Sequence, residues 1–203
     1  MRRILLMGNP NVGKSVFFSR LTGVDVISSN YPGTTISFTK GFTRIGDEKF
    51  EVIDVPGTYT LEPTCKAEDV ACEILKLSLA KGMERGDLII NVLDATNLER
   101  NLYLTQELLE KRIPMVVALN MWDETKHKGI SIDIKKLEEL LGVPVVPTVA
   151  ITGEGFRDLA LKIKEAKIRN GKKHTHEERW KEIGDIIKRR HHRPFYKVIP
   201  KSH

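Results

Sequence analysis

A glycine-rich loop between a predicted strand and a predicted helix limits the folds open to this chain more than any other feature. The apolar run Ile4–Met7 is typical of a buried strand, and Lys14–Leu21 has helical spacing. The residues between them fit the pattern G-x-x-x-x-G-K-[ST], whose backbone amides bind phosphate at a helix N-terminus. The loop consists of Gly8, Asn9, Pro10, Asn11, Val12, Gly13, Lys14 and Ser15. We expect Lys14 to bridge the β- and γ-phosphates of a nucleotide and Ser15 to ligate Mg²⁺.

Apolar strand-like segments alternate with helix-period segments up to about Asn170, which predicts βαβ units. The predicted strands are Ile4–Met7, Phe42–Ile45, Phe50–Ile53 with Glu51–Val55, Leu88–Leu93, Met115–Leu119 and Val143–Pro147. The predicted helices are Lys14–Leu21, Ala67–Leu79, Leu98–Lys111, Ile134–Leu141 and Gly155–Ala166. A turn at residues 46–48 predicts one hairpin. The predicted fold class is therefore α/β, with a six-stranded, mainly parallel sheet that contains one antiparallel strand.

The C-terminal segment differs from the rest of the chain in charge. Residues 171–203 hold ten basic and four acidic residues, so the net charge of +6 lies there and the remaining charges balance. His176–Arg190 has helical spacing, whereas Pro194 and Pro200 argue against regular structure after it. We predict a main domain over residues 1–169 and a partial helical spacer with a basic tail over residues 170–203. Because the excess charge is confined to a tail, no nucleic-acid partner is expected.

Two further properties bear on the cellular compartment. No apolar run approaches the roughly 20 residues that span a bilayer, so the chain as given is expected to be soluble. Its two cysteines are too few to form a disulfide framework, which favours a reducing cytoplasm.

A second motif follows the strand that ends near Val55. Asp54 stands at the carboxyl end of that strand, and Pro56 and Gly57 come directly after it. A carboxylate in this position can hold a magnesium-bound water, and the Gly57 N–H group can contact a γ-phosphate. The same residues also form ordinary turns, so the prediction depends on their distance from the glycine-rich loop.

A third motif, Asn120-Met121-Trp122-Asp123, ends the Met115–Leu119 strand and resembles the Asn-Lys-x-Asp guanine reader. The Asp123 carboxylate would accept hydrogen bonds from the ring N1–H and the exocyclic amine of guanine. Adenine offers neither donor there, so the motif predicts GTP and GDP as ligands and rejects ATP. Met121 replaces the usual lysine, but an apolar side chain can still pack on a purine face.

Two less specific segments complete the predicted site. The polar segment from Asn30 to Thr35 includes Gly33 and is expected to order around a γ-phosphate. We predict that Thr35 supplies the switch hydroxyl to Mg²⁺, with Thr34 as the competing choice. After the last strand, the backbone N–H groups of Val149 and Ala150 are expected to approach guanine O6.

With these motifs in place, the chain resembles the ferrous iron transport protein B family over nearly all of Met1 to Ala166. Three stretches carry the closest resemblance. They are residues 94–105 (DATNLERNLYLT), 118–123 (ALNMWD) and 141–148 (LGVPVVPT). The resemblance implies a Ras-like G domain of the P-loop GTPase class, which hydrolyses GTP to GDP and phosphate. Val149 departs from the family pattern, in which a small hydroxylated residue precedes Ala150.

The resemblance also implies partners and catalytic roles. It places the chain at the cytoplasmic face of the cell membrane, as the regulatory domain of a membrane transporter for Fe²⁺ whose transporter portion belongs to the same full-length chain. It is compatible with an oligomer. Lys14, Thr35 and Gly57 are the implied catalytic residues, together with Asn11, which matches an asparagine that helps to hold an activating potassium ion.

Two other functions are weighed against this one. The basic tail and the isoelectric point near 9.3 are compatible with a soluble ribosome- or RNA-associated GTPase. A nucleotide kinase shares the phosphate-binding loop but needs a second substrate pocket and an arginine-rich lid. Nothing between Asn30 and Arg85 resembles such a lid.

Overall fold

The computed structural model describes residues 1–23, 26–30, 37–62, 69–76, 86–166, 168, 174–188 and 196–198. The strands are β1 (Arg2–Gly8), β2 (Val26–Asn30), β3 (Ser37–Ile45), β4 (Glu48–Asp54), β5 (Leu88–Asp94), β6 (Met115–Asn120), β7 (Ile130–Ile132), β8 (Val145–Pro147) and β9 (Tyr196–Val198). The helices are α1 (Lys14–Thr22), α2 (69–76), α3 (Leu98–Glu110), α4 (Trp122–His127), α5 (Ile134–Leu141), α6 (Phe156–Ile163) and α7 (His176–Lys188).

The central sheet has seven strands in the order β2-β3-β4-β1-β5-β6-β8. Strand β3 runs antiparallel to both of its neighbours, and all other pairings in this sheet are parallel. The predicted α/β class and the one antiparallel strand are therefore confirmed. The predicted count of six strands is wrong, because β2 adds a seventh at the sheet edge. Its residues Val26 and Ile27 are exposed and do not alternate with buried ones, so the pattern of a half-buried strand is absent.

Helices cover both faces of the sheet because alternate residues of each inner strand point to opposite sides. On one face, Ile4 and Leu6 join a cluster with Phe17 of α1 and Leu159 of α6. On the other face, Leu5 and Met7 belong to a larger cluster, which takes in residues of α2, α3, α5 and α7. The carboxyl ends of the parallel strands, where the predicted motifs lie, thus share one edge of a rigid sheet.

The C-terminal part departs from the prediction. Helix α7 is present, and Ile183 and Ile186 are buried in the same cluster as the core of α3. Regular structure was not expected after it, yet Tyr196–Val198 forms β9, which pairs antiparallel with β7. Each strand is only three residues long, so neither carries a readable period. Within the described residues, no helix has the length and apolarity needed to cross a bilayer.

Candidate functional site

The glycine-rich loop begins at the last residue of β1, as predicted. Gly8 passes so close to the neighbouring strand that a Cβ there would lie 2.5 Å from the carbonyl oxygen of Val92, and only glycine fits. The next residue, Asn9, is buried and donates a hydrogen bond from Nδ2 to the Arg100 carbonyl at 3.3 Å. The loop is therefore packed tightly against β5 and the start of α3.

The loop then turns into α1 through two residues with positive φ. Asn11 has φ 66° and Gly13 has φ 79°, a backbone region that asparagine and glycine tolerate best. Asn11 is exposed, whereas Val12 between them is buried. Gly13 forms the cap of α1, so the free N–H groups of the first helical turn face the loop. This arrangement suits an anion such as phosphate.

Lys14 and Asp54 meet at the carboxyl end of the sheet. The register of β1 and β4 aligns Leu6 with Asp54, and the Lys14 ammonium forms an ion pair with the Asp54 carboxylate. Both side chains are mostly buried, while Ser15, which follows Lys14 in α1, is exposed. A carboxylate and a hydroxyl are the hard oxygen ligands that Mg²⁺ prefers, so the donor set fits that ion.

Gly57 lies directly against the glycine-rich loop. A Cβ at this position would lie 3.1 Å from both the N and Cα atoms of Pro10, so a larger residue would displace one of the two segments. The Thr58 N–H group donates to the Gly8 carbonyl at 3.2 Å and ties the segment after β4 to the end of β1. The structure therefore brings the first two predicted motifs together.

Asn120 connects the third motif to both neighbouring loops. Its Nδ2 donates to the Val12 carbonyl at 2.9 Å, and its Oδ1 accepts from the Ala150 N–H group at 3.0 Å. A Cβ on Gly13 would lie 2.6 Å from the same Nδ2. One buried amide thus holds the phosphate-binding loop and the loop after β8 at a fixed separation.

The rest of this motif opens α4, a helix that the sequence did not predict. Met121 has φ 59° and caps the helix, and the Trp122 N–H group donates to the Thr148 carbonyl at 3.2 Å. Asp123 follows in the first turn and is exposed. The turn at Met121 separates the buried Asn120 amide from the exposed Asp123 carboxylate, which leaves that carboxylate open to a ligand.

The two N–H groups predicted to approach guanine O6 both have protein acceptors. The Val149 N–H donates to the Glu154 carbonyl at 3.0 Å, and the Ala150 N–H donates to Asn120. The remaining predicted residues, Gly33, Thr34 and Thr35, lie outside the described residues. Strands β2 and β3 flank their segment, with Asn30 opposite Ser37 in the register.

Sequence reasoning missed a group of charges behind the segment that follows Gly57. Glu107 of α3 is buried and accepts hydrogen bonds from the Leu61 N–H group and the Thr60 hydroxyl, at 2.6 and 3.0 Å. Burial raises the pKa of Glu107, while these hydrogen bonds oppose that shift. Arg179 of α7 reaches the same carboxylate at 3.2 Å. The sequence signal was an acid within the apolar run of α3, but nothing indicated its distant partner.

Known proteins with similar sequences and structures agree on one family. The profile of the family described as "Ferrous iron transport protein B" matches residues 2–163. The Fe(2+) transport protein A/Fe(2+) transporter FeoB fusion protein of Porphyromonas gingivalis is 45% identical over 157 residues, which are 77% of this chain and 18% of that protein. The Fe(2+) transporter FeoB of Salmonella typhimurium is 43% identical over 162 residues, 78% of this chain and 20% of that protein. The chain therefore spans about a fifth of the length of these relatives.

Solved structures with similar folds include proteins bound to guanine nucleotides. A variant of NFeoB from S. thermophilus bound to GDP superposes with a TM-score of 0.72 at 40% identity, covering 82% of this chain and 62% of that one. The cytosolic domain of the T. maritima FeoB iron transporter in its GMPPNP form gives a TM-score of 0.73 at 34% identity, covering 94% of this chain and 75% of that one.

Proposed function

This chain belongs to the ferrous iron transport protein B family, and from that premise we propose that it binds guanine nucleotides and hydrolyses GTP as the regulatory domain of a ferrous iron transporter. The proposal rests mainly on the two hydrogen bonds of the Asn120 amide, which join the phosphate-binding loop to the loop after β8, where we place the base. Structures of relatives bound to GDP and GMPPNP support it.

Base selection is assigned to the exposed carboxylate of Asp123. It accepts two hydrogen bonds from guanine, whereas adenine would leave the charge without a donor. Met121, half-buried beside Gly13, supplies an apolar surface for the purine. Asn120 acts by fixing the two loops between which the nucleotide lies.

Phosphate binding is assigned to the loop from Gly8 to Ser15. Lys14 would exchange its present partner, the Asp54 carboxylate, for oxygens of the β- and γ-phosphates. Ser15 and Asp54, with Thr35 from the segment between β2 and β3, are the residues that would hold Mg²⁺. When bound, this ion supplies positive charge that neutralises the phosphate oxygens. Gly57 contributes its N–H group beside Pro10.

The residue after Gly57 does not supply the side chain that orients water in many GTPases. Thr58 is buried, and its hydroxyl donates to the Thr60 carbonyl at 2.6 Å, so this side chain is committed to its own turn. We therefore assign the acceleration of hydrolysis to a potassium ion held partly by the exposed Asn11 side chain. Its charge would offset the negative charge that develops between the β- and γ-phosphates.

Nucleotide titration tests the proposal directly. The chain should bind labelled GDP and GTP in the presence of Mg²⁺ and release phosphate from GTP, with little affinity for ATP. Lys14→Ala should abolish hydrolysis, while Lys135→Ala, which removes one exposed charge from α5, should not. Equal affinity for ATP and GTP would refute the assignment of Asp123.

The role in iron uptake requires the full-length protein. There we place this domain at the cytoplasmic face of the membrane, with the transporter portion of the same chain as its partner. Uptake of radiolabelled Fe²⁺ by cells that depend on this protein should fall when Lys14→Ala is introduced. Normal uptake by a GTPase-inactive variant would contradict a regulatory role. A soluble RNA-associated GTPase is not favoured by the relatives. Salt-dependent RNA binding by the chain would be the evidence for it.

A further inference from the structure

The loop after β8 is a short turn that closes on itself. The Gly153 N–H group donates to the Val149 carbonyl at 2.8 Å, and the isolated bridge between Val149 and Glu154 completes the turn. Val149 has no polar side-chain atom with which to fix the loop. The side chain of Ile151 is 76% exposed, so burial in the core does not anchor the middle of the turn either.

An arginine from the phosphate-loop helix holds this turn from outside. Arg20, in the last turn of α1, donates from Nε to the Ala150 carbonyl at 3.1 Å and from its terminal nitrogen to the Ile151 carbonyl. Its guanidinium also packs beside Gly153, where a Cβ would lie 3.7 Å away. Two successive carbonyls therefore share one planar, charged donor group.

These two hydrogen bonds fix the direction of one peptide group. The Ala150 carbonyl and the Ile151 N–H belong to the same planar trans peptide, so they point in opposite directions. When Arg20 fixes the carbonyl, the Ile151 N–H faces away from Arg20. Within the described part of the chain, the Ile151 N–H has no protein acceptor, whereas those of Val149, Ala150 and Gly153 do.

We propose that Arg20 is a positioning residue for nucleotide retention, which orients the Ile151 N–H group toward the O6 atom of a bound guanine. The inference deepens the proposed function and rests on it. Arg20 does not touch the nucleotide. It limits the motion of the loop, so its removal acts mainly on how fast the nucleotide leaves.

The test compares Arg20→Met, which keeps the apolar stem and removes the donors, with Arg20→Lys and the unmodified chain. Lys135→Met on α5 is the matched control for loss of one exposed positive charge. Stopped-flow measurement with labelled GDP should show a dissociation rate about tenfold faster for Arg20→Met, the scale of one hydrogen bond to a charged group at a partly exposed site. Arg20→Lys should be intermediate, because one ammonium replaces a two-pronged donor, and Lys135→Met should match the unmodified chain.

Nucleotides with different bases distinguish the orientation of the Ile151 N–H group from a general increase in the mobility of the loop. The affinity penalty of Arg20→Met should be equal for GDP and IDP, which both carry O6. It should be largely absent for 2-aminopurine riboside diphosphate, which lacks O6. An equal penalty for all three ligands would overturn the proposal, since that pattern indicates a structural or charge effect. Unchanged GDP dissociation in Arg20→Met would also overturn it. If the unmodified chain fails to bind GDP at all, the proposed function itself is wrong.

Discussion

At the residue scale, the site depends on side chains that hold loops as much as on those assigned to the ligand. Asn120 is 3% exposed, and both ends of its side-chain amide form hydrogen bonds with distant backbone groups. One partner is the Val12 carbonyl, 108 residues away in sequence, and the other is the Ala150 N–H group, 30 residues away. Replacing Asn120 with aspartate would remove the donor to Val12 and place a charge in a buried position, which is strongly unfavourable. Asp123, three residues later, is exposed and can be altered with little effect on the fold.

Asp123→Asn should therefore change the base preference without unfolding the protein. The amide offers a donor where the carboxylate accepted hydrogen bonds, which suits the 2-oxo group of xanthine and not the amine of guanine. Affinity for GDP should fall about 100-fold, the scale of losing hydrogen bonds to a charged group, while affinity for XDP should rise. Competition of unlabelled GDP and XDP against a labelled nucleotide measures both. An unchanged ratio of the two affinities would contradict the assignment.

The potassium assignment for Asn11 has an equally specific test. Hydrolysis should be faster in K⁺ than in Na⁺ at equal ionic strength, and substitution of Asn11 should remove the difference while GDP binding is nearly kept. Because Asn11 has φ 66°, alanine would add backbone strain, so Asn11→Gly isolates the loss of the amide and Asn11→Ala serves as comparison. Equal rates in the two salts for the unmodified chain would eliminate potassium activation.

At the element scale, the contact between α3 and α7 is the least expected feature. Arg179 of α7 pairs with Glu107 and Glu110 of α3 and with Glu62 of the segment after Gly57, each at 3.1 to 3.2 Å. The hydrogen bonds that Arg179 donates, first of all to Glu110, raise the pKa of Arg179, so it stays charged at all relevant pH values. The helix and the segment after Gly57 thus share one buried guanidinium.

Glu110 gives this contact a defined dependence on pH. Burial acts to raise its pKa, but hydrogen bonds from Arg179 and from the His174 N–H group lower it overall below the usual 4.5. Below pH 4.5 the unfolded chain therefore takes up more protons at this position than the folded one, and acid favours unfolding. The stabilisation is complete above pH 4.5 and lost as pH falls through the lowered value.

Urea denaturation at pH 6 and at pH 3.5 measures this effect. The difference in free energy of unfolding between the two pH values should be smaller for Glu110→Gln than for the unmodified chain. Glu139→Gln, an exposed acid of α5, is the matched control and should leave the difference unchanged. An identical pH dependence in Glu110→Gln would show that this carboxylate does not contribute.

Element by element, the sequence was informative wherever burial imposes a pattern. Strands β5 and β6 are almost entirely apolar because both faces are covered, and the spacing of Ile183 and Ile186 predicted α7. The edge strand β2 and the short helix α4 have no such pattern and were missed. Arg20 and Arg179 could not be found, since their partners lie 130 and 72 residues away in sequence and local periodicity does not encode such pairs. The glycine-rich loop was recognisable because its chemistry fixes the residue types at Gly8, Gly13, Lys14 and Ser15 at a set spacing.

At the scale of the whole molecule, ligand binding should appear as added stability. The site draws on β1, β4, β6 and the loop after β8, so a bound nucleotide would link much of the sheet edge. At 100 times its Kd, a ligand specific for the folded state adds about 2.7 kcal/mol. For a chain of this size that corresponds to a rise in Tm of roughly 5–10 °C.

Thermal unfolding with GDP and Mg²⁺ should show this rise, whereas ATP should leave Tm nearly unchanged. Addition of EDTA to the GDP complex should reverse part of it, because EDTA removes the Mg²⁺ that we assign to Ser15 and Asp54. Lys14→Ala should reduce the GDP effect. An equal rise with ATP would indicate nonspecific phosphate binding.

The contacts of Arg179 also determine where the chain can be truncated without a loss of stability. A chain ending at residue 168 would keep every predicted nucleotide contact, yet it would strip Ile183 and Ile186 from the core and leave Glu107 without its guanidinium. Each lost isoleucine costs about 1.5–3 kcal/mol, and an unpaired buried charge costs more. Such a fragment should unfold at a lower temperature than one ending at residue 188. A lower nucleotide affinity of the shorter piece would then reflect its lower stability and not the loss of a contact.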